Sequence, residues 1–277
     1  MRKNQILGLA AILLVAGIFC GFIKKQKAAK WKTGVALYSF NKFSFEESLN
    51  KADSAGAKYV ESFFFHNLGK DFNGHSIPNL TDEEIAKMKS MISAKGLQMK
   101  SLYAANGKTP KEWEANFIFA KKMGLEFLNC EPERKDWDLI DSLAGKYQLK
   151  IAIHEHGKGL SYYWHPDSVI AAMKGHPNIK ACADLGHWVR SGLDPVKCLQ
   201  MLKGNVIAVH VKDLDVANNL KANDVVVGTG VLDYPAIIKE LNRQNFSGIA
   251  YVEREANWEH NMGDVKAALG YLEKVNK

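Results

Sequence analysis

The sequence predicts an α/β fold in which eight parallel strands and their helices form one (β/α)8 TIM barrel. Three observations lead to this prediction. Apolar runs of strand length alternate eight times with amphipathic helical stretches. The chain has 277 residues, 47% of them apolar, which is enough for one barrel of about 250 residues. Unusual polar residues also gather where the apolar runs end.

The eight predicted strands lie at 35–40, 57–63, 97–103, 125–131, 150–155, 179–184, 206–211 and 248–253. A helical stretch separates each run from the next. Such crossovers return the chain to the same edge of a sheet, so neighbouring strands become parallel. Eight repeats of this unit is the number that closes a barrel.

The helix ends are marked by capping residues. Ser44 with Glu47, and Thr81 with Glu84, have the spacing of a capping box. Two further helices are predicted to start with an N-cap residue followed by proline, at Thr109-Pro110 and Asp194-Pro195. Glycines close three of the helices, at Gly56, Gly96 and Gly124.

Residues 1–32 are predicted to be a separate signal or membrane-anchor segment and basic linker, with the barrel domain at 33–277. Positions 6–23 are uncharged and mostly apolar, behind Arg2 and Lys3. Cys20 is a candidate for lipidation. We therefore expect an exported protein, periplasmic or membrane-anchored, that touches the membrane only through this segment. The lysines that follow oppose translocation, which leaves a cytoplasm-facing orientation open.

The charge distribution argues against nucleic-acid binding. The net charge is +7, and residues 1–32 contain seven basic residues and no acid. The remaining 30 basic residues balance all 30 acidic residues. A neutral body lacks the basic surface that binds a phosphate backbone. Cys130, Cys182 and Cys198 form no CxxC pair, and we expect buried free thiols rather than a disulfide framework.

Metal-binding side chains follow three of the predicted strands. Asp184, His187, His210 and Glu253 offer two carboxylates and two imidazoles, a set that suits Mn, Zn, Co, Fe or Mg. In a barrel of this kind the active site lies at the carboxyl ends of the strands. Further polar residues fall at the same ends: Tyr38, Glu61, Tyr103, Glu131, His154, His156, Lys212 and Arg254.

These motifs resemble those of the xylose isomerase-like TIM barrels, the sugar phosphate isomerase/epimerase superfamily. The similarity covers roughly 33–277 and rests on four features: DLGH at 184–187, HVKD at 210–213, the Gly-Thr-Gly turn at 228–230, and a last strand that ends in Glu253.

The resemblance implies that Asp184, His210 and Glu253 are metal ligands and that His187 ligates the metal or binds substrate. The fourth ligand is left open. Many members carry Glu at the end of the fifth strand, where this sequence has His154-Glu155-His156. Either His154 takes that place or Glu131 reaches in from the fourth strand. The family's epimerisation uses two glutamates, one on each face of the sugar. The absence of a carboxylate at the end of the fifth strand puts that mechanism in doubt.

From these residues we expect a divalent-metal-dependent sugar isomerase or epimerase that forms a metal-stabilised enediolate of a monosaccharide or keto-sugar. The candidates for proton transfer are Glu253, His156, His187 and Lys212. Lys212 is either an acid or base whose pKa is lowered by burial, or an ion-pair partner of Asp213 or Asp184. The candidates for substrate binding are Tyr38, Glu61, Trp188 and Arg254.

Two alternatives remain open. The same chemistry with loss of a β-hydroxyl gives a metal-dependent hydro-lyase, a dehydratase or hydratase of a keto-sugar. A membrane-tethered, non-catalytic sugar-binding protein would use the polar residues without a metal. The expected partner is a small sugar or keto-sugar in each case, with no nucleic acid, and the sequence predicts no oligomeric state.

Overall fold

The computed structural model describes residues 31–276, in which eight parallel strands close into a barrel. The barrel strands are β1 (Lys32–Ala36), β2 (Tyr59–Phe63), β3 (Gln98–Tyr103), β4 (Phe127–Cys130), β5 (Lys150–His154), β6 (Ile179–Asp184), β7 (Val206–Val211) and β10 (Ile249–Val252). A short antiparallel hairpin follows β7 and consists of β8 (Asp213–Leu214) and β9 (Asp224–Val225). The predicted barrel is confirmed.

The helices surround the barrel as the predicted alternation requires. They are α1 (Phe45–Ser54), α2 (Asp82–Ser93), α3 (Pro110–Met123), α4 (Trp137–Tyr147), α5 (Pro166–Met173), α6 (Leu185–Arg190), α7 (Pro195–Met201), α8 (Tyr234–Arg243) and α9 (Met262–Val275). The very short α6 starts directly at the end of β6, and it places the DLGH motif at the mouth of the barrel.

The first strand lies earlier in the chain than predicted. β1 ends at Ala36, and residues 37–40 form a 3-10 turn in which Leu37 and Phe40 are fully buried. The apolar run therefore continues past the strand because the turn packs into the core. At the other end, Trp31 is buried against Phe246, with 6.0 Å between ring centroids. The barrel thus includes Trp31 and Lys32, which the sequence had placed in the linker.

The predicted helix ends are confirmed. Both capping boxes form, at Ser44 with Glu47 and at Thr81 with Glu84. Thr109 and Asp194 accept backbone hydrogen bonds as N-caps. Gly124 adopts φ +78°, a left-handed conformation that glycine reaches without a Cβ clash.

All three cysteines of the described part are buried free thiols, as predicted. Among residues 31–276 there is no helix of the length and hydropathy needed to span a bilayer. The predicted signal or anchor segment and Cys20 lie outside the described residues.

Asp213, the last residue of the HVKD motif, holds the loop that follows the hairpin. Its Oδ2 accepts hydrogen bonds from the backbone N–H groups of Gly228 and Gly230, at 2.9 Å each. Its Oδ1 accepts from Leu214 at 2.9 Å and from Leu232 at 3.1 Å. A Cβ on Gly230 would lie 2.3 Å from the Leu214 carbonyl oxygen. The Gly-Thr-Gly turn is therefore shaped by close packing around one buried carboxylate.

Replacing Asp213 with alanine should lower the free energy of unfolding by at least about 2 kcal/mol, because several backbone donors lose their acceptor. Urea unfolding of the Asp213→Ala variant measures this. Asp53→Ala, at an exposed position of α1, is the control and should change stability by no more than about 0.5 kcal/mol. Equal stability of the two variants would contradict the role given to Asp213.

Candidate active site

The strand register brings four predicted ligands into one layer at the carboxyl end of the barrel. Side chains at positions i and i+2 of a strand share a face. Four pairs of this kind line the interior, each with an apolar residue one layer below the polar one: Ala152 and His154, Cys182 and Asp184, Ala208 and His210, Tyr251 and Glu253. In the register, Asp184 of β6 pairs with His210 of β7. The polar layer therefore lies on an apolar floor.

His154, Asp184, His210 and Glu253 are buried, and their ligand atoms all lie within 4.8 Å of one another. We call these residues the group of four. His154 Nε2 lies 3.2 Å from His210 Nδ1 and 3.4 Å from Asp184 Oδ2. His210 Nδ1 lies 3.2 Å from Glu253 Oε2. The atoms thus face a common point, as the ligands of one cation do.

Each imidazole of the group of four has a carboxylate behind it. Glu61 Oε1 accepts from His210 Nε2 at 2.8 Å. Glu131 Oε1 lies 3.4 Å from His154 Nδ1. Such outer carboxylates fix the tautomer of a metal-binding histidine and turn its other nitrogen toward the metal. With Nε2 of His210 and Nδ1 of His154 carrying the protons, the two nitrogens that face each other are both acceptors.

The donor set of the group of four fits a divalent cation. Two ring nitrogens and two carboxylates face one point, and Asp184 Oδ2 is buried without a hydrogen bond of good geometry among the described residues. A cation would satisfy these acceptors. Burial lowers the pKa of His154, but the neighbouring carboxylates of Asp184 and Glu131 outweigh this effect and raise the pKa to about 10. Protons and a metal therefore compete for this imidazole.

The group of four contains His154, whereas Glu131 belongs to a second candidate cluster with His154 and His156. Glu131 lies behind His154, where its Oε1 accepts from Tyr103 OH and from His156 Nδ1, both at 2.5 Å. Burial raises the pKa of Glu131, but the hydrogen bonds from His154 and His156 outweigh this and hold the pKa well below its usual range. Glu131 is thus an anionic acceptor that positions two histidines.

Lys212 is fully buried beside the group of four. Its Nζ lies 3.1 Å from Asp184 Oδ2, 2.7 Å from Glu253 Oε2 and 3.0 Å from Glu255 Oε1. Burial lowers the pKa of Lys212, but the three carboxylates outweigh it, and the net shift is well upward. Of the two predicted states of Lys212, the structure has the ion pair with Asp184. The glycine of DLGH makes room for it, since a Cβ on Gly186 would lie 2.2 Å from Lys212 Cγ.

Glu255 was missed in the sequence. It lies two residues after Glu253, so the period of two along the strand could have indicated that both face the same way. Arg190 holds it through an ion pair of 2.8 Å, and Asp224 accepts its backbone N–H at 2.8 Å. Glu255 therefore extends the charged network from Lys212 to Arg190.

A cavity of about 180 Å³ opens above the group of four, and we call it the inner cavity. It is lined by Tyr38 and Glu61, as predicted, and by His156, whose side chain is 33% exposed. The remaining lining residues are Ala36, Ser62, Phe63, Phe65, Tyr103, His154, His210, Glu253 and Glu255. The inner cavity thus gives a small molecule access to His156 and to the group of four.

Besides Asp184, Glu131 and Lys212, three further predicted site residues do not line the inner cavity. Trp188 is fully buried on α6, and the Arg254 guanidinium pairs with Asp264 at 3.0 Å. Both were expected to bind substrate, but neither lines the inner cavity because each packs behind the mouth of the barrel. His187 is buried, with its ring centroid 4.7 Å from that of His156. Burial lowers the pKa of His187 to about 3, so this imidazole is neutral.

Comparisons with known proteins agree with this architecture. A family model described as "Xylose isomerase-like TIM barrel" matches residues 49–275. An inosose dehydratase of Clostridium beijerinckii is 24% identical, over 66% of this chain and 78% of that protein. A solved structure from Parabacteroides distasonis is 34% identical with a TM-score of 0.72, over 89% of this chain and 99% of the other.

A further structure, described as the IOLI protein with a binding zinc atom, has a TM-score of 0.71 at 16% identity, over 88% of this chain and 97% of the other. That likeness shows the fold. The predicted enzyme class is confirmed: the relatives support a carbohydrate-modifying enzyme of the isomerase/epimerase or lyase type. The resemblance seen in the motifs is also confirmed, and this chain belongs to the xylose isomerase-like TIM barrel family.

Proposed function

We propose that this protein is a divalent-metal-dependent hydro-lyase that removes water from, or adds it to, a keto-sugar or related cyclic ketone. The observation that carries the proposal is His154 in the group of four, with His156 held by Glu131 beside it. An epimerisation that uses two glutamates would need a carboxylate at the end of β5, where this chain has His154. The inosose dehydratase relative supports dehydration, and the zinc in the IOLI structure supports a bound cation.

The group of four is the place for the cation. A divalent ion bound there would polarise a ketone and an adjacent hydroxyl and so acidify the neighbouring C–H bond. Manganese, zinc, cobalt, iron and magnesium remain candidates, and two imidazoles favour zinc, iron or cobalt over magnesium. Lys212 balances the carboxylates on the other side and keeps Glu253 ionised.

His156 is the group best placed to move a proton. Its Nδ1 donates to Glu131, which leaves Nε2 free toward the inner cavity. A carboxylate behind an imidazole fixes its tautomer and stabilises its protonated form. Nε2 takes the proton from the carbon beside the ketone, a C=C bond forms, and the bond to the β-hydroxyl breaks. His156 then returns the proton to the departing hydroxide, so one water leaves and the imidazole is regenerated.

Isomerisation or epimerisation is the second candidate, because Glu255 also lines the inner cavity. It follows β10, which lies three strands from β5 around the barrel. A proton taken by the ionised Glu255 carboxylate and a second delivered from His156 would involve different faces of a bound sugar.

Protein purified without chelator should contain about one divalent ion per chain, because the group of four offers four ligands. Elemental analysis measures this. Asp184→Ala should lose the ion, while the control Asp53→Ala keeps it. Affinity for the metal should rise with pH, since His154 and His210 must lose protons to bind it. A metal-free protein that still binds sugars would instead support a non-catalytic sugar-binding protein.

His156→Asn should lower kcat by about 10²–10⁴-fold, the usual contribution of general acid–base catalysis, while metal content stays unchanged. Glu131→Gln should lower kcat and also weaken metal binding by about 10–100-fold, because it positions both His156 and His154. Steady-state kinetics and metal titration separate the two variants. Loss of metal in His156→Asn would contradict the assignment of roles.

Incubation of keto-sugars and keto-inositols in heavy water should give products that differ from substrate by one water, as seen by mass spectrometry and NMR. Isomerisation or epimerisation would instead incorporate deuterium at constant composition. The result decides between the two candidates, because proton removal is common to both and only the hydro-lyase breaks a C–O bond.

A further inference from the structure

A second cavity lies next to the inner cavity at the barrel mouth, and we call it the outer cleft. The outer cleft has a volume of about 740 Å³, against about 180 Å³ for the inner cavity. Pockets that hold small molecules usually measure about 300–1,000 Å³. The inner cavity is below this range, so a ligand with more than one ring has to extend out of it.

Tyr103 lies between the two cavities, since its side chain lines both. Its hydroxyl donates to Glu131, which also accepts from His156 and itself lines the outer cleft. His156 and Glu131, the pair proposed to move the proton, therefore lie where the inner cavity meets the outer cleft. A group attached to the reacting ring at this junction would enter the outer cleft.

Four successive β/α loops build the outer cleft. Phe64 follows β2, Asn106 follows β3, Arg134 follows β4 and Tyr162 follows β5. All four loops leave the carboxyl ends of their strands, which is the face that carries the group of four. The outer cleft is thus part of the same face of the barrel and continues the inner cavity.

The lining of the outer cleft suits a sugar ring. Tyr162 is 42% exposed, and the Arg134 guanidinium lies over its ring at 4.2 Å from the centroid. Asn106 and Ser161 add groups that can hydrogen-bond to hydroxyls. Aromatic faces beside a few polar groups match a ring that has apolar C–H faces and a polar edge. Glu133 is paired with Lys135 at 2.7 Å, so it does not make the outer cleft strongly acidic.

We infer that the outer cleft binds a second sugar unit, and that the substrate is a disaccharide or glycoside whose reacting ring occupies the inner cavity. This inference rests on the proposed function and names its substrate class. Tyr162 supplies the stacking face, Arg134 orients it, and Tyr103 separates the two rings.

Isothermal titration of the metal-loaded protein with D-glucose, D-galactose, cellobiose, maltose and lactose tests the inference. At least one disaccharide should bind ten-fold or more tightly than each of its own monosaccharides. Tyr162→Ala should abolish this gain and leave monosaccharide affinity unchanged, whereas Tyr162→Phe should keep it. The matched control is Trp164→Ala, since Trp164 also packs under a cation, Lys158 at 5.0 Å, but does not line the outer cleft. This variant should bind like the wild type.

Equal affinity for monosaccharides and disaccharides, a gain that survives in Tyr162→Ala, or no binding of any of these sugars would each overturn the inference. Failure of the proposed function can be distinguished from failure of this inference. It is measured by metal content and by deuterium or water exchange on free keto-sugars and keto-inositols, which do not depend on Tyr162.

Discussion

Charged groups packed inside the barrel mouth are the constraint on which the rest of this site depends. Asp184, Glu253 and Glu255 are brought together where little water reaches them, and a buried carboxylate is stable only beside a cation or several donors. Lys212 supplies one positive charge. On the other side, the facing nitrogens of His154 and His210 complete a set of atoms that could hold a second positive charge, that of a metal ion. The outer carboxylates keep these nitrogens as acceptors.

The barrel supplies this arrangement through its register. Each residue of the group of four lies two positions after an apolar residue of the same chain segment, so the apolar floor and the polar layer form together when the strands pair. The HVKD motif contributes both to the site inside the barrel mouth and to the loop outside it. His210 faces the inner cavity, Lys212 balances the carboxylates, and Asp213 holds the Gly-Thr-Gly turn outside the barrel.

The sequence predicted the barrel and the group of four because strand periodicity and residue chemistry are both local signals. It failed where three-dimensional packing decides the outcome. The first strand stopped early because Leu37 packs into the core on a turn. Trp188 and Arg254 share the strand-end position of the residues that line the inner cavity, but Trp188 is buried and Arg254 pairs with Asp264. The position of Glu131 behind His154 depends on distances between strands, which the sequence does not give.

Anomalous diffraction from crystals of the native protein, recorded on both sides of the absorption edge of the metal found, tests the central claim most directly. If the group of four binds a cation, we expect one strong peak within about 2.0–2.2 Å of a nitrogen or oxygen from each of His154, Asp184, His210 and Glu253. No peak among these four side chains, with Lys212 alone balancing the carboxylates, would contradict that claim.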